Sequence, residues 1–386
     1  MKKIKFLAHL ISPIVVLIFF NLSFSQTPSK EPYVVGAFSS ATGPAAYIGA
    51  PIRDGMMFEA DLINEAGGIN GRPIKLIFYD DASDPSKAVL VAKKLVEEDK
   101  VIALIGGIRS GNALAVVPYV ERVGMPYIAT AAATSLTQPV KKWTFADAVN
   151  NFQAVRKIIE YMLKRNITKI AFLPDNTAYG DDAYKSFMDQ KPKSIDVLVH
   201  ETFGDRDTDF TPQLIKVKAA GVQAAIVWVP TAAASIMMKN ALMMGLNIPF
   251  FHCHGVQQAE YPILAGEGAK LMKIPSYKLL VLDQLPDTDP QKPILLAYRN
   301  EFVRRFRTPP VPFHGQGSDA VRILAGALKR VGWPPDKAKI RDEIEKTKNL
   351  AGLNGFYNIT PTDHQGLSYE SLVMVKWEKG NFIIDE

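Results

Sequence analysis

The residues best suited to chemistry in this sequence are His252, Cys253 and His254, which follow one another at the end of a predicted strand. Imidazole and thiolate groups bind transition metals, and a thiol near an imidazole can act as a nucleophile. Successive strand residues face opposite sides, so the two histidines share one face only if the strand continues. Metal binding, a buried structural role and ligand contact by His254 therefore stay open. We expect no metal site, and Cys253 is most simply a buried small residue.

Single hydroxyl groups stand in three further loops that follow predicted strands. Ser110 and Thr134 either cap the helices that come after them or bind a polar group of a ligand. Tyr179 lies in the loop Asp-Asn-Thr-Ala-Tyr-Gly, where a tyrosine can serve packing or recognition. The residue types alone do not decide between these roles.

The common compact motifs of enzymes are missing from the sequence. It contains no GxxxxGK[ST] phosphate loop, no GxSxG nucleophile turn and no HExxH metal motif. Enzymatic action is therefore not favoured, and we expect no cofactor.

The elements that must position these residues centre on the stretch from Val101 to Thr137. An apolar run at 101–105 predicts a buried strand, and a loop of Gly, Ser and Asn follows it. A helix over 113–123 then ends at Gly124, and a second apolar run is followed by small residues at 131–135. Ligands bind at such strand ends in open parallel sheets. This stretch thus predicts one wall of a small-molecule site.

The rest of the chain alternates strands and helices in two series, which predicts an α/β protein with doubly wound parallel sheets. The first series begins at Tyr33 with a strand, continues with a loop over 39–49, and runs to about residue 150. The second follows as far as the loop that contains His254. The chain then continues with a Pro-rich segment and three helices, one of them over 318–331. It ends with a hairpin over 371–384. Two similar halves suggest a ligand held between them.

Length and composition agree with two exported domains. The 386 residues are 47% hydrophobic, and the N-terminus has three lysines before an apolar stretch from Phe6 to Phe20. This pattern predicts a signal peptide over 1–25 cleaved after Ser25; a retained membrane anchor is the alternative. No cysteine lies near the cleavage site, so we expect no lipoprotein anchor. Cleavage would lower the formal charge from +6 to +3, too little to indicate nucleic-acid binding.

Several motifs occur together in an order and spacing typical of one known family. They are Thr42-Gly43-Pro44, Asn64-Glu65-Ala66-Gly67-Gly68-Ile69-Asn70-Gly71, Tyr79-Asp80-Asp81 with Asp84-Pro85, Ile105-Gly106-Gly107, Gly124 with Pro126, and Tyr179-Gly180. With them the chain closely resembles, from Val34 to Ile384, the substrate-binding proteins of ABC importers of the branched-chain amino acid (Leu/Ile/Val) binding family. The resemblance implies the type I periplasmic-binding fold.

That fold implies two doubly wound lobes joined by a three-stranded hinge. The expected boundaries are 32–148 plus 276–367 for the N-terminal lobe and 149–275 plus 368–386 for the C-terminal lobe, with the hinge near 147–151, 274–278 and 366–370. The resemblance also implies the site residues. Ser110 and Gly111, with Ala131, Ala133 and Thr134, would hold a carboxylate; Tyr179 would cover the ligand; and Phe313, Tyr47 and Thr231 would line the side-chain region.

His254 stands where amino acid binders of the family carry a glutamate that pairs with the ligand's ammonium group. A histidine is a poor substitute for a carboxylate in that role. Pro230 and Thr231 also stand near a tyrosine of those binders, and Ile48 replaces an aromatic residue. The hypothesis is therefore a small organic acid, aromatic or not, or an amide, with a hydrophobic amino acid as the close rival.

The expected role is that of a periplasmic, monomeric solute-binding protein that delivers its solute to an inner-membrane ABC permease. A ligand-sensing domain that signals through a partner protein is the alternative. A periplasmic enzyme that uses His254 is a third interpretation, for which the sequence supplies no base or nucleophile in a recognisable arrangement.

Overall fold

The computed structural model describes residues 30–385, and the expected signal peptide over 1–25 lies outside this range. The strands are β1 (Tyr33–Ser39), β2 (Ile74–Asp80), β3 (Leu104–Gly106), β4 (Tyr127–Ala129), β5 (Thr144–Ala146), β6 (Lys169–Pro174), β7 (Asp196–His200), β8 (Ala224–Trp228), β9 (Phe250–His252), β10 (Met272–Tyr277), β11 (Leu350–Ala351), β12 (Phe356–Tyr357), β13 (Leu372–Glu378) and β14 (Asn381–Ile384). The helices are α1 (Ala46–Glu65), α2 (Pro85–Glu97), α3 (Ser110–Val123), α4 (Asn151–Lys164), α5 (Ala178–Gln190), α6 (Thr211–Ala219), α7 (Ala232–Met243), α8 (Glu260–Ala265), α9 (Lys292–Phe306), α10 (Pro312–Val331) and α11 (Lys337–Ile344).

The first sheet has the strand order β2-β1-β3-β4-β5, and all its pairs are parallel. Its buried residues alternate between two helix layers, as the period of a strand requires. In β3, Leu104 packs against α2 and α3, whereas Ile105 packs towards α1 and α10. We call this sheet and its helices the first lobe.

The second sheet has the order β14-β13-β10-β9-β8-β6-β7. Strands β10 to β7 are parallel, and the hairpin β13-β14 adds an antiparallel edge to β10. The terminal hairpin expected over 371–384 is therefore confirmed, as is the expectation of two doubly wound α/β lobes. We call this sheet and its helices the second lobe.

Helices α1 and α10 pack against each other so closely that two glycines are required at the contact. A Cβ atom added at Gly55 would lie 2.0 Å from the His314 carbonyl oxygen, and one added at Gly317 would lie 2.0 Å from that of Ile52. Two expected boundaries are wrong here. Helix α1 begins at Ala46 instead of after residue 49, and α10 begins at Pro312 instead of residue 318. Proline fits the first turn of a helix, where its missing N–H is not needed.

Three segments pass between the lobes and are hydrogen-bonded to one another. The Val149 N–H donates to the Tyr277 hydroxyl oxygen at 2.9 Å, and the Gln365 amide donates to the Ala148 carbonyl at 2.7 Å. These bonds join the first crossing to the second and the third. Over the described residues, no helix is both long and apolar enough to span a membrane.

Candidate functional site

A cavity of about 330 Å³ lies between the lobes, where the carboxyl ends of strands from both sheets face each other. The first lobe contributes the loops after β1 to β5 and the start of α10, and the second lobe contributes the loops after β6, β8 and β9. In each sheet the strand order reverses beside this edge, and ligands commonly bind at such a reversal in open α/β sheets. The volume suits a small organic molecule.

The N-terminus of α3 forms the first-lobe wall of the cavity. The cavity lining includes Arg109, Ser110, Gly111 and Asn112, and the N-cap residue Arg109 makes no capping hydrogen bond with its side chain. The first N–H groups of a helix have no intrahelical acceptor, and the helix dipole adds positive potential there. This wall can therefore bind a carboxylate or another polar acceptor.

Two ring side chains, Tyr179 and His254, line the cavity from the second lobe and pack against the buried rings of Trp228 and Tyr277. The Tyr179 ring lies 6.0 Å from that of Trp228, and the His254 ring packs edge-on 6.4 Å from Trp228 and 6.3 Å from Tyr277. Phe313, in the first turn of α10, lines the cavity from the first lobe. Apolar parts of a ligand would thus contact flat rings, which favours planar or branched groups.

His254 is uncharged at neutral pH. It is buried in the short turn after β9, and this burial lowers the pKa of the imidazole to about 4. Within residues 30–385 its Nδ1 atom has no hydrogen-bond partner, and the same holds for the hydroxyl of Thr130, another lining residue. The cavity therefore offers unpaired neutral polar groups at these two positions.

Asp175 is the carboxylate in the cavity lining. Its Oδ1 atom accepts hydrogen bonds from the Thr177 N–H, the Thr177 hydroxyl and the Gly180 N–H. Burial, with the nearby Asp205 carboxylate, raises the pKa of Asp175 to about 6. Its charge near neutral pH thus depends on what else occupies the cavity.

An ion pair connects the lobes at the edge of the cavity. The Arg109 guanidinium lies 2.7 Å from Oδ2 of Asp205, and both side chains are mostly buried. The Thr231 hydroxyl donates to the Asp205 carbonyl at 2.6 Å, which fixes the Asp205 loop against α7. In this conformation the lobes are closed on each other. Among the described residues, no group of His, Cys, Asp and Glu is arranged to hold a metal ion.

Comparison with known proteins agrees with this geometry. The family model described as "Periplasmic binding protein" matches residues 32–381. The chain belongs to the periplasmic binding protein family. The expected family and the expected type I fold are therefore both confirmed.

Two proteins similar in sequence to this periplasmic binding protein have names that state what they bind. Leu/Ile/Val-binding protein homolog 3 of Brucella melitensis is 23% identical over 90% of this chain and 92% of its own length. The leucine-, isoleucine-, valine-, threonine-, and alanine-binding protein of Pseudomonas aeruginosa is 27% identical over 83% of this chain and 84% of its own. Binding rather than catalysis is thus confirmed.

The fold of this chain is also similar to that of solved structures. An extracellular ligand-binding receptor from Rhodopseudomonas palustris HaA2 superposes with a TM-score of 0.85 at 25% identity, over 92% of this chain and all of that one. A branched-chain amino acid transporter substrate binding protein from Streptococcus pneumoniae, solved with isoleucine, has a TM-score of 0.79 at 24% identity over 92% of this chain and 98% of its own.

The structure brings six of the ten expected site residues of this periplasmic binding protein into the cavity lining: Ser110, Gly111, Tyr179, Thr231, His254 and Phe313. The other four lie elsewhere. Ala131 and Ala133 are buried in the core beneath α3, while their neighbours Thr130 and Ala132 line the cavity.

Thr134 and Tyr47 contact the second lobe instead of the cavity. The Thr134 hydroxyl accepts from the Phe152 N–H at 3.1 Å and lies 3.3 Å from the Ser186 hydroxyl. Tyr47 packs edge-on against Tyr261, with ring centroids 5.3 Å apart. Both residues therefore belong to the inter-lobe surface.

The sequence interpretation missed Arg109, Asp175 and Gln316 as lining residues. Arg109 and Asp175 stand directly in strand-end loops, so a search for charged residues among the small ones would have found them. Gln316 comes from α10, far along the chain, and donates to the Thr130 carbonyl at 2.7 Å. No local signal in the sequence indicates that contact.

The Asp182 carboxylate holds the closed form together outside the cavity. It accepts from the N–H groups of Thr134 and Ser135 at 2.9 and 3.1 Å, and from the Asn151 amide at 2.9 Å. We expect Asp182→Ala to weaken solute binding about tenfold, because the two charge-assisted hydrogen bonds that Asp182 accepts from the first lobe are lost. Isothermal calorimetry measures the effect.

The matched control for Asp182→Ala is Asp189→Ala. Asp189 lies on the same helix, α5, in an exposed ion pair with Lys185. This change should leave the dissociation constant within twofold of the original. Equal affinities of both variants would mean that closure does not depend on Asp182.

Proposed function

We propose that this chain is the extracytoplasmic solute-binding component of an ABC importer of the branched-chain amino acid type, and that its solute is a small carboxylate. The observation that carries the proposal is the cavity between the two sheets, with the uncapped N-terminus of α3 on one side and aromatic rings on the other. A carboxylate would accept from the N–H groups of α3, and its apolar part would contact the rings.

The proposed solute lacks an ammonium group. In amino acid binding a desolvated ammonium requires an anionic or accepting partner. The neutral His254 offers a lone pair but no charge, and at Asp175 only Oδ2 is left for an ammonium group, because Oδ1 already accepts three hydrogen bonds. An organic acid, or an amide that uses its carbonyl oxygen in the same way, avoids this cost.

Calorimetry with leucine and 4-methylpentanoate tests the proposal, because these molecules differ only in the ammonium group. We expect 4-methylpentanoate to bind at least tenfold more tightly, with benzoate and 4-methylpentanamide as further members of the panel. Micromolar or tighter binding of leucine or valine, without response to the amino-free acids, would refute the organic acid as solute.

The pH dependence of binding distinguishes the same two solute classes. Below a pKa of about 6 the Asp175 carboxyl is protonated; above it, the group becomes anionic and repels a bound carboxylate. Affinity for an organic acid should therefore fall about fivefold from pH 5.5 to pH 7.5, which corresponds to about 1 kcal/mol between charges in a well-solvated site. Affinity for a ligand with an ammonium group should rise over the same range.

Asp175→Asn is the control for this pH effect. All three hydrogen bonds go to Oδ1, so the amide oxygen of asparagine can still accept them while the charge is removed. The variant should bind the acid with the same affinity at pH 5.5 and 7.5. A slope equal to that of the original protein would show that Asp175 does not face the solute.

Transport would follow from movement of the two lobes. We propose that the lobes 32–148 plus 276–367 and 149–275 plus 368–386 open and close about the three crossings, and that a monomer in the periplasm presents its closed form to the permease. A ligand shifts this equilibrium only if it contacts the closed form better than the open one. Lining residues from both lobes support such a preference.

A further inference from the structure

A second chamber of about 610 Å³ lies next to the cavity described above, which is called the first chamber here. It is formed by the N-terminal half of α7, helix α8 and the loop over 205–208 of the second lobe, and Pro44 and Tyr47 cover it from the first lobe.

Most of the surface that the second chamber exposes is apolar, and its charged lining residues are Asp205, Arg206, Asp207 and Glu260. Ile236 and Leu264 line it from α7 and α8, and the rings of Tyr47 and Tyr261 meet edge-on at 5.3 Å. Leu264 is 40% exposed, so part of its side chain is free to contact a ligand. A hydrocarbon or aryl group would cover these side chains and remove them from water.

The two chambers share walls. Pro44 and Thr231 line both of them, and Arg109 of the first chamber pairs with Asp205 of the second. Arg109 directly precedes the helix N-terminus at which the proposed carboxylate binds. The boundary between the chambers, formed by Pro44, Thr231 and the Arg109–Asp205 pair, thus lies within one arginine side chain of the anion site.

We propose that the solute is an amphipathic acid, with its carboxylate at the N-terminus of α3 and an apolar tail that runs past Pro44 and Thr231 into the second chamber. This inference rests on the proposed function and specifies the solute class: alkyl or arylalkyl carboxylates that are longer than an amino acid. The tail is uncharged, because the shared wall and the second chamber present mainly apolar groups to it.

A chain-length series tests the inference. Straight-chain carboxylates of four, six, eight and ten carbons are titrated into the protein by calorimetry. Affinity should rise about fourfold for each added methylene that enters the second chamber. Affinity that stays level beyond four carbons would overturn the inference and leave the proposed function intact, whereas a series without any binding would overturn both.

Leu264→Asp gives a matched test within the protein. It should weaken binding of the ten-carbon acid at least tenfold and change that of the four-carbon acid less than twofold. Leu163→Asp is the control, because Leu163 has a similar exposure of 43% and lies on α4, away from both chambers. An unchanged affinity of Leu264→Asp for the long acid would contradict the inference.

Two further measurements keep the test decisive if Leu264→Asp folds poorly. Ala232 is exposed at the start of α7 and lines only the second of these two chambers, so Ala232→Trp should fill that space and reduce the length dependence to less than twofold per methylene. Acids that end in an amino group should bind at least tenfold more weakly than methyl-ended acids of equal length. Equal or tighter binding of the amino-ended acids would overturn the apolar tail.

Discussion

Arg109→Glu should weaken carboxylate binding about 100-fold. The guanidinium of Arg109 attracts Asp205 across the cleft at 2.7 Å and stands beside the proposed anion site. Reversal of its charge turns both attractions into repulsions. Two charges 4 Å apart interact by about 4 kcal/mol at an effective dielectric constant of 20. Since both side chains are partly exposed, solvent screening reduces the expected total to about 3 kcal/mol.

Calorimetry at constant ionic strength measures this loss, and two further variants separate its causes. Arg156→Glu disrupts an exposed ion pair with Glu160 on α4 and should not affect binding. The double variant Arg109→Glu with Asp205→Arg restores attraction between the lobes and should recover about tenfold of the affinity. Unchanged binding by Arg109→Glu alone would show that the solute lies elsewhere.

Tyr179→Ala should weaken binding about 50-fold or more. Its ring forms part of the second-lobe wall beside Trp228, and truncation removes this wall and admits water. The expected cost of about 2 to 3 kcal/mol is that of a large apolar side chain taken from a contact. Tyr179→Phe keeps the ring and should bind within threefold of the original protein.

Ser110→Ala is the corresponding test in the first lobe. The loss of one hydroxyl from a site with several donors should cost about 1 kcal/mol, or about fivefold in affinity. Circular dichroism and thermal unfolding of each variant would confirm that the fold is intact. If Tyr179→Ala and Ser110→Ala both bind normally, the assignment of the cavity as the solute site is wrong.

The sequence predicted the architecture well because strand and helix periods are local properties. Apolar runs identified the strands of both sheets, and small-residue loops after them indicated where a ligand could bind. The errors occurred where tertiary contacts decide. Helix α10 begins at Pro312 instead of the expected residue 318, and Phe313 lines the cavity from its first turn.

The site was harder to predict because face assignment depends on single residues. After β4, successive residues face the cavity and the core in turn. Thr130 and Ala132 therefore line the cavity, whereas Ala131 and Ala133 face the core. Ion pairs between lobes, such as that of Arg109 with Asp205, join segments about a hundred residues apart. No periodicity in the sequence encodes such a distance.

The position of Asp182 has a consequence for how such a protein changes over evolutionary time. Its carboxylate meets the backbone of residues 134 and 135 without lining the first chamber. Substitutions of Asp182 would change the solute concentration at which half the molecules are closed. The relative affinities for different solutes would stay the same. Under the proposed function, the affinity for the solute and the choice among solutes would then be set by different residues, and a lineage that meets scarcer solute could change its affinity without a new cavity lining.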